Sequence, residues 1–188
     1  MSFVDAVASG FKNAFNFKGA ARRSEFWYWV LFTLLLSLVL STIESVIWPP
    51  VPIQGDWMAD LDAFTSAPTP LTTIASILLF IPNLAVTARR FHDAGFSAKW
   101  LLLQLIPLGY GIFAGIGVFV VLASGTEADF TYEQIVAVIF LVLPLIAMAL
   151  AIMVIFLVFA LKPSRSFYDG NKYVEPVPLA AADEGTTA

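Results

Sequence analysis

Apolar residues run nearly unbroken through four stretches of the chain, 26–48, 71–88, 100–123 and 135–161, and polar residues collect between them. About 20 apolar residues at helical rise cross a hydrocarbon core ~30 Å thick, so each stretch is a candidate span. Continuous apolarity, rather than alternation over about ten residues, selects helices over barrel strands. The pattern predicts an all-α integral membrane protein built as a four-helix bundle. Residues 2–17 follow another rule. Phe3, Val4, Val7, Phe11, Ala14 and Phe15 recur on one helical face, with Asp5, Ser9, Lys12, Asn13 and Asn16 largely opposite, which predicts an amphipathic helix lying in the membrane interface. The expected organisation is an interfacial segment over 1–23, a four-span domain over 24–162 and a tail over 163–188, disordered towards its end.

Composition agrees: 59% of the 188 residues are hydrophobic and 13% charged, about half the charged share of a soluble domain. Charge placement adds an orientation. Lys12, Lys18, Arg22 and Arg23 precede the first span, Arg89, Arg90 and Lys99 join the second to the third, and Lys162, Arg165 and Lys172 follow the fourth. The other two loops hold no basic residue and carry Asp56, Asp60, Asp62, Glu127, Asp129 and Glu133. Basic residues stay on the cytoplasmic side during insertion, so both termini are expected in the cytoplasm. The aspartates of the first external loop lack the spacing of a calcium loop and read as solvated acid, and Trp57, Met58, Leu61 and Phe64 give that loop one short interfacial turn. The first span begins more than twenty residues in and is too long for a signal-peptide core, so no cleaved leader is expected. Without cysteine, disulfides and thiolate metal sites are excluded.

Polar residues inside the spans are few. Ser24 and Glu25 suit the start of the first helix, where orphan amides favour a hydroxyl and a carboxylate. Thr33, Ser37 and Ser41 recur every four residues, with Glu44 near the same stripe, so this face is expected to look into the bundle. Glu44 reads as a snorkelling or locally hydrogen-bonded carboxylate rather than a proton relay. Asn83 follows Pro82 and Gln104 precedes Pro107, so each amide is expected to satisfy a carbonyl released at a proline kink. Gly111 and Gly115 form a GxxxG pair expected to admit a neighbouring helix, within one chain or between chains.

The densest polar cluster lies at the inner ends of the first two spans. Opposite crossings bring Arg22, Arg23, Glu25, Arg89, Arg90, His92 and Asp93 to one depth, and they are expected to form a single site in which carboxylates or lipid phosphates separate the arginines. Gly95 ends one helix and Ser97 caps the next. One histidine beside one carboxylate has neither the ligand count of a metal site nor the nucleophile of a triad.

The stretches 19–27 (GAARRSEFW), 82–93 (PNLAVTARRFHD) and 106–109 (IPLG) resemble the bacterial inner-membrane family called domain of unknown function 805. The resemblance covers about residues 8–176. It implies a small four-helix protein of the bacterial inner membrane and no activity. The chain departs from the family pattern at Ala20, where an arginine is usual, and over 94–99, where a tryptophan-terminated motif with a further arginine is usual.

No HExxH, GxSxG or paired-carboxylate motif is present, so an enzyme is not expected, nor a cofactor or a metal. Basic residues are not gathered on a soluble face, which argues against nucleic acid. The expected function is a non-enzymatic scaffold or regulator acting through the cytoplasmic cluster, with membrane lipids, a protein or a second copy of the chain as partners. The alternative is a small transporter or channel, as an oligomer. Against it, the spans lack midplane charge and repeated interrupted helices.

Overall fold

A computed structural model of the chain describes residues 1–49, 63, 66–123, 131–174 and 176. Its principal elements are α1 (Phe3–Lys12), α2 (Arg23–Ile47), α3 (Pro70–Asp93), a 3-10 segment (Ala98–Gln104), α4 (Leu105–Ala123), α5 (Tyr132–Leu161) and a closing 3-10 turn (Phe167–Asp169). Four helical spans result, the third made of the 3-10 segment continued by α4, and all four are long and apolar enough to cross a membrane. The expected interfacial turn at 57–64 and the acidic residues of the two loops other than Glu133 lie outside the described residues, as does the end of the tail.

Local signals set the element ends. Ser2 and Asp5 form a capping box on α1, and Thr131 and Gln134 form one on α5. Hydrogen bonds from Ser2 hold the Asp5 carboxyl below the usual carboxylate range. Gly95 turns the chain after α3 at a φ of 85°, a left-handed value natural to glycine, and Ser97 accepts from the Lys99 amide at the start of the 3-10 segment. At α2 the capping residue is Arg22, without a side-chain bond, so Ser24 does not cap it.

The helices pair as two antiparallel hairpins, α2 with α3 and α4 with α5. Among the described residues α4 packs only on α5 and the 3-10 segment, and α5 joins the hairpins by also touching α2 and α3. That junction is aromatic and lies at the basic end of the bundle. Phe91 meets Phe156 and Phe159 edge-on at 5.0 and 5.3 Å, and Phe96 stacks on Phe159 at 3.9 Å. The second core lies between α1, α2 and α3, where Trp29 is buried with Val86 and Leu79.

α1 packs on α2 through Phe3 against Tyr28 and Phe11 against Trp29 and Phe32. Its buried residues are Ala6 and Gly10, whereas Val4, Phe11 and Phe15 remain half or more exposed. Small residues let the helix approach α2 closely, and the Trp29 ring lies where a side chain at Gly10 would be. The helix also stops at Lys12, and Asn13 caps it.

The glycines of α4 differ in what they meet. Gly111 faces Leu145 of α5 at 3.6 Å from an added Cβ, but Gly115 has nothing within 4 Å. The close approach falls at Gly117, where that Cβ would stand 2.9 Å from Leu141, with Ala114 buried on the same seam. Ala114 is the middle of the seam that Gly111 and Gly117 flank, and Gly115 points about 100° round the helix from it.

Other polar residues are also reassigned. Ser37 and Ser41 are exposed on the outer surface, with the Ser41 hydroxyl donating to the Leu38 carbonyl one turn back. Pro107 falls in the first turn of α4, just where the 3-10 segment passes into α-helix, and the Gln104 side chain makes no hydrogen bond to a released carbonyl among the described residues. Gln104 is exposed instead. Pro82 does lie inside α3, but the Asn83 side-chain oxygen accepts from the Trp29 indole at 2.7 Å rather than serving the backbone. Glu44 is buried at the other end of the bundle. Its Oε1 accepts from the Leu71 and Thr72 amides at 2.5 and 3.0 Å, and its Oε2 from the Thr72 hydroxyl at 2.6 Å. A carboxylate from α2 thus caps α3, whose own capping residue, Thr69, makes no side-chain bond.

Candidate functional site

Adjacent residues on a helix point about 100° apart at 3.6 residues per turn, and this separates the two arginines of α3. Arg89 turns towards α1 and α2. Its Nη1 donates to Glu25 Oε1 at 2.9 Å, and the Ser9 hydroxyl donates to the same oxygen at 2.9 Å. The Ala21 amide closes the contact by donating to the Arg89 carbonyl at 3.1 Å. Both members of the pair are buried, and Nε and Nη2 of Arg89 have no protein partner.

Arg90 turns towards α5 and is wholly buried. Its Nη1 pairs with Asp93, Nε donates to the Ala160 carbonyl at 3.0 Å, and Nη2 donates to the Lys162 carbonyl. The last carbonyls of a helix lack intrahelical donors, so the guanidinium caps the C-terminus of α5 while neutralising a carboxylate of α3. Asp93 also accepts from the Ser164 hydroxyl.

The chain after α5 folds back over this pair as a strap. The Arg165 amide donates to the Asp93 carbonyl at 2.9 Å. Asn171 is buried, and its Nδ2 contacts the carbonyls of His92 at 2.8 Å and Arg165 at 3.0 Å. Tyr173 stacks on His92 with centroids 4.4 Å apart and ring planes 11° apart. His92 Nε2 accepts from the Ala98 amide at 3.3 Å, which fixes the turn after α3. In the strap, hydrogen bonds from Ser166 hold the Asp169 carboxyl below the usual carboxylate range.

The seven residues expected in one site therefore occupy two clasps and a rim. Glu25 with Arg89 ties α1, α2 and α3. Arg90 with Asp93 ties α3, α5 and the strap. His92 joins the strap through its ring, and Arg22 and Arg23 stay outside, exposed, with Arg23 Nε donating to the Lys162 carbonyl at 3.0 Å. The carboxylate at 25 meets the arginine at 89, not the one at 90. Ser9, Ser164, Asn171 and Tyr173 are partners that the sequence pattern did not single out. Only the i, i+3 spacing of Arg90 and Asp93 was a local signal for a pair. Among the described residues no three His, Asp or Glu side chains converge, so the clasps offer no metal-ligating set.

Comparison with known proteins points the same way as the fold. The family model described as "Protein of unknown function (DUF805)" matches residues 14–173. Inner membrane protein YhaH of Escherichia coli K12 is 37% identical over 97 residues, 51% of this chain and 69% of YhaH. Inner membrane protein YhaI of the same strain is 27% identical over 96 residues, 51% of this chain and 67% of YhaI. Uncharacterized protein YiiR is 27% identical over 92 residues, 49% of this chain and 51% of YiiR. No solved structure matches the chain.

Proposed function

From the premise that the chain belongs to the DUF805 family, as a multi-span membrane protein with inner-membrane relatives, we propose that it is a non-enzymatic scaffold or regulator whose basic end, facing the cytoplasm, receives a protein partner. One observation carries this reading. Apart from Glu44, every buried polar side chain among the described residues sits at the basic end: Glu25, Arg89, Arg90, Asp93 and Asn171. They bind α1, the strap and three spans into one platform. Glu25 and Asp93 are each neutralised by an arginine, so the carboxylates that general acid–base chemistry would use serve as fold contacts. The ten-to-zero division of basic residues between the two ends supports the cytoplasmic orientation.

The test is purification of the full chain from native membrane in mild detergent, followed by mass spectrometry. A protein retained by the wild type and lost from Asn171→Ala, whose strap is unseated, is the expected result. Retention of a small solute, with uptake of that solute by reconstituted vesicles, would overturn the reading in favour of transport. A reporter fused at residue 188 is expected to score cytoplasmic, and an external score would reverse the orientation.

A further inference from the structure

We propose that the crevice between α2 and α5 at the basic end is a site for one anionic phospholipid, its phosphate on Arg23 and one acyl chain lying along Trp27, Val30, Met153 and Leu157. The crevice is about 240 Å³, and Phe91 of α3 is among its lining. Its walls are mostly apolar and come from spans, with Thr87 and Gln104 the polar members, so its surroundings are hydrocarbon and the slot suits an acyl chain rather than an ion.

Arg23 marks the mouth. It lies one turn before Trp27 on α2, and Nε donates to the Lys162 carbonyl two residues beyond Ala160, another wall residue. The side chain thus bridges the ends of the two helices that form the slot. Among the described residues its two terminal nitrogens make no hydrogen bond or ion pair. Neither carboxylate nearby neutralises it, because Glu25 is committed to Arg89 and Asp93 to Arg90. An exposed guanidinium with two donors left is suited to a phosphate diester, and its planar fork fits phosphate oxygens better than an ammonium does.

The distances agree with one leaflet. From Arg23 to Val30 is seven residues, or about 10 Å at 1.5 Å per residue. Half of a ~30 Å core is ~15 Å, so the slot follows an acyl chain through about two-thirds of its leaflet. Gln104 lies at the wall with an exposed amide, and Thr87 keeps its hydroxyl on the Asn83 carbonyl at 2.7 Å. Gln104 therefore separates an acyl chain from a polar occupant: an acyl chain loses nothing when the amide becomes leucine, whereas a polar solute held by that amide is lost. The proposal does not depend on the scaffold reading, since a lipid can seat in either a scaffold or a transporter.

The test uses the full chain in vesicles of phosphatidylcholine containing a minority of phosphatidylglycerol, extracted and examined by native mass spectrometry for retained lipid. The wild type is expected to retain phosphatidylglycerol in preference to phosphatidylcholine. Arg23→Gln should lower that retention about fivefold, the worth of one basic side chain at an anionic surface, and Arg23→Lys should restore part of it. Leu157→Trp should abolish it by filling the slot with every charge in place, and Gln104→Leu should leave it unchanged. Undiminished retention in Leu157→Trp would overturn the proposal in favour of general attraction to the basic end. Equal retention of the two lipids by the wild type, or loss in Gln104→Leu, would overturn it as well. Quenching of Trp27 fluorescence by brominated phosphatidylglycerol, taken as wild type minus Trp27→Phe, reports the same seat without extraction and should exceed quenching by brominated phosphatidylcholine.

Discussion

Asp93→Ala should destabilise the protein by about 3–5 kcal/mol, the usual cost of removing one partner from a buried ion pair. Arg90 is wholly buried, and without Asp93 its charge faces only the carbonyls of Ala160 and Lys162. Arg90→Ala should cost a similar amount, because it leaves Asp93 with the Ser164 hydroxyl alone and reopens the end of α5. The double variant should lose less than the sum, by about 1–3 kcal/mol, since each single change strands a charge that the other removes. Unfolding of each variant in mixed detergent measures this directly. Losses that add to within about 0.5 kcal/mol would mean that the two side chains anchor their helices separately.

Gly10→Ala should detach α1 from the bundle while the spans stay folded. A Cβ at this position falls inside the Trp29 ring, against Cε3 and Cζ3, and the ring cannot swing away. Its indole is tied to Asn83 at 2.7 Å, and Phe11 and Phe32 pack on it with centroids 5.2 and 5.4 Å away. Overpacking of this kind costs about 1–3 kcal/mol, which a ten-residue helix can avoid by lifting off. Detachment would also take Ser9 from Glu25, leaving Arg89 as the remaining partner of that carboxylate. A cysteine introduced at Ser9 should become reactive in the Gly10→Ala background and stay protected in the wild-type background. Continued protection in both would show that the Trp29 ring gives way.

The opposite case, a carboxylate whose role sequence could only narrow, is Glu44. The pattern placed it near the end of a span and favoured local hydrogen bonding over proton transfer. That its acceptors would serve the first turn of another helix depended on α3 starting beside it, which hydropathy does not encode. The same limit explains Asn83 and Gln104. Asn83 follows Pro82 and Gln104 stands three residues before Pro107, but Pro107 falls in a first turn, and Asn83 lies beside Trp29 of α2.

Sequence alone determined the solvent, the number of spans and the depth of the charged residues, because transfer between water and hydrocarbon is a one-dimensional property that each residue reports without knowing its neighbours. It likewise identified the residues of the two clasps, since charge at a span end is rare and conspicuous. Tertiary structure decided which partners they took. Arg89 and Arg90 are consecutive, and the turn of one helix sends the first to Glu25 and the second to Asp93 and the end of α5. Helix rotation and neighbour identity also set Gly111 and Gly117 against α5 while Gly115 turns outward, and brought Gly10 of α1 onto the Trp29 ring of α2. Every apolar face in a bilayer can be satisfied by lipid, so hydrophobicity says which residues enter the membrane, and close packing and hydrogen-bond geometry choose what each helix touches there.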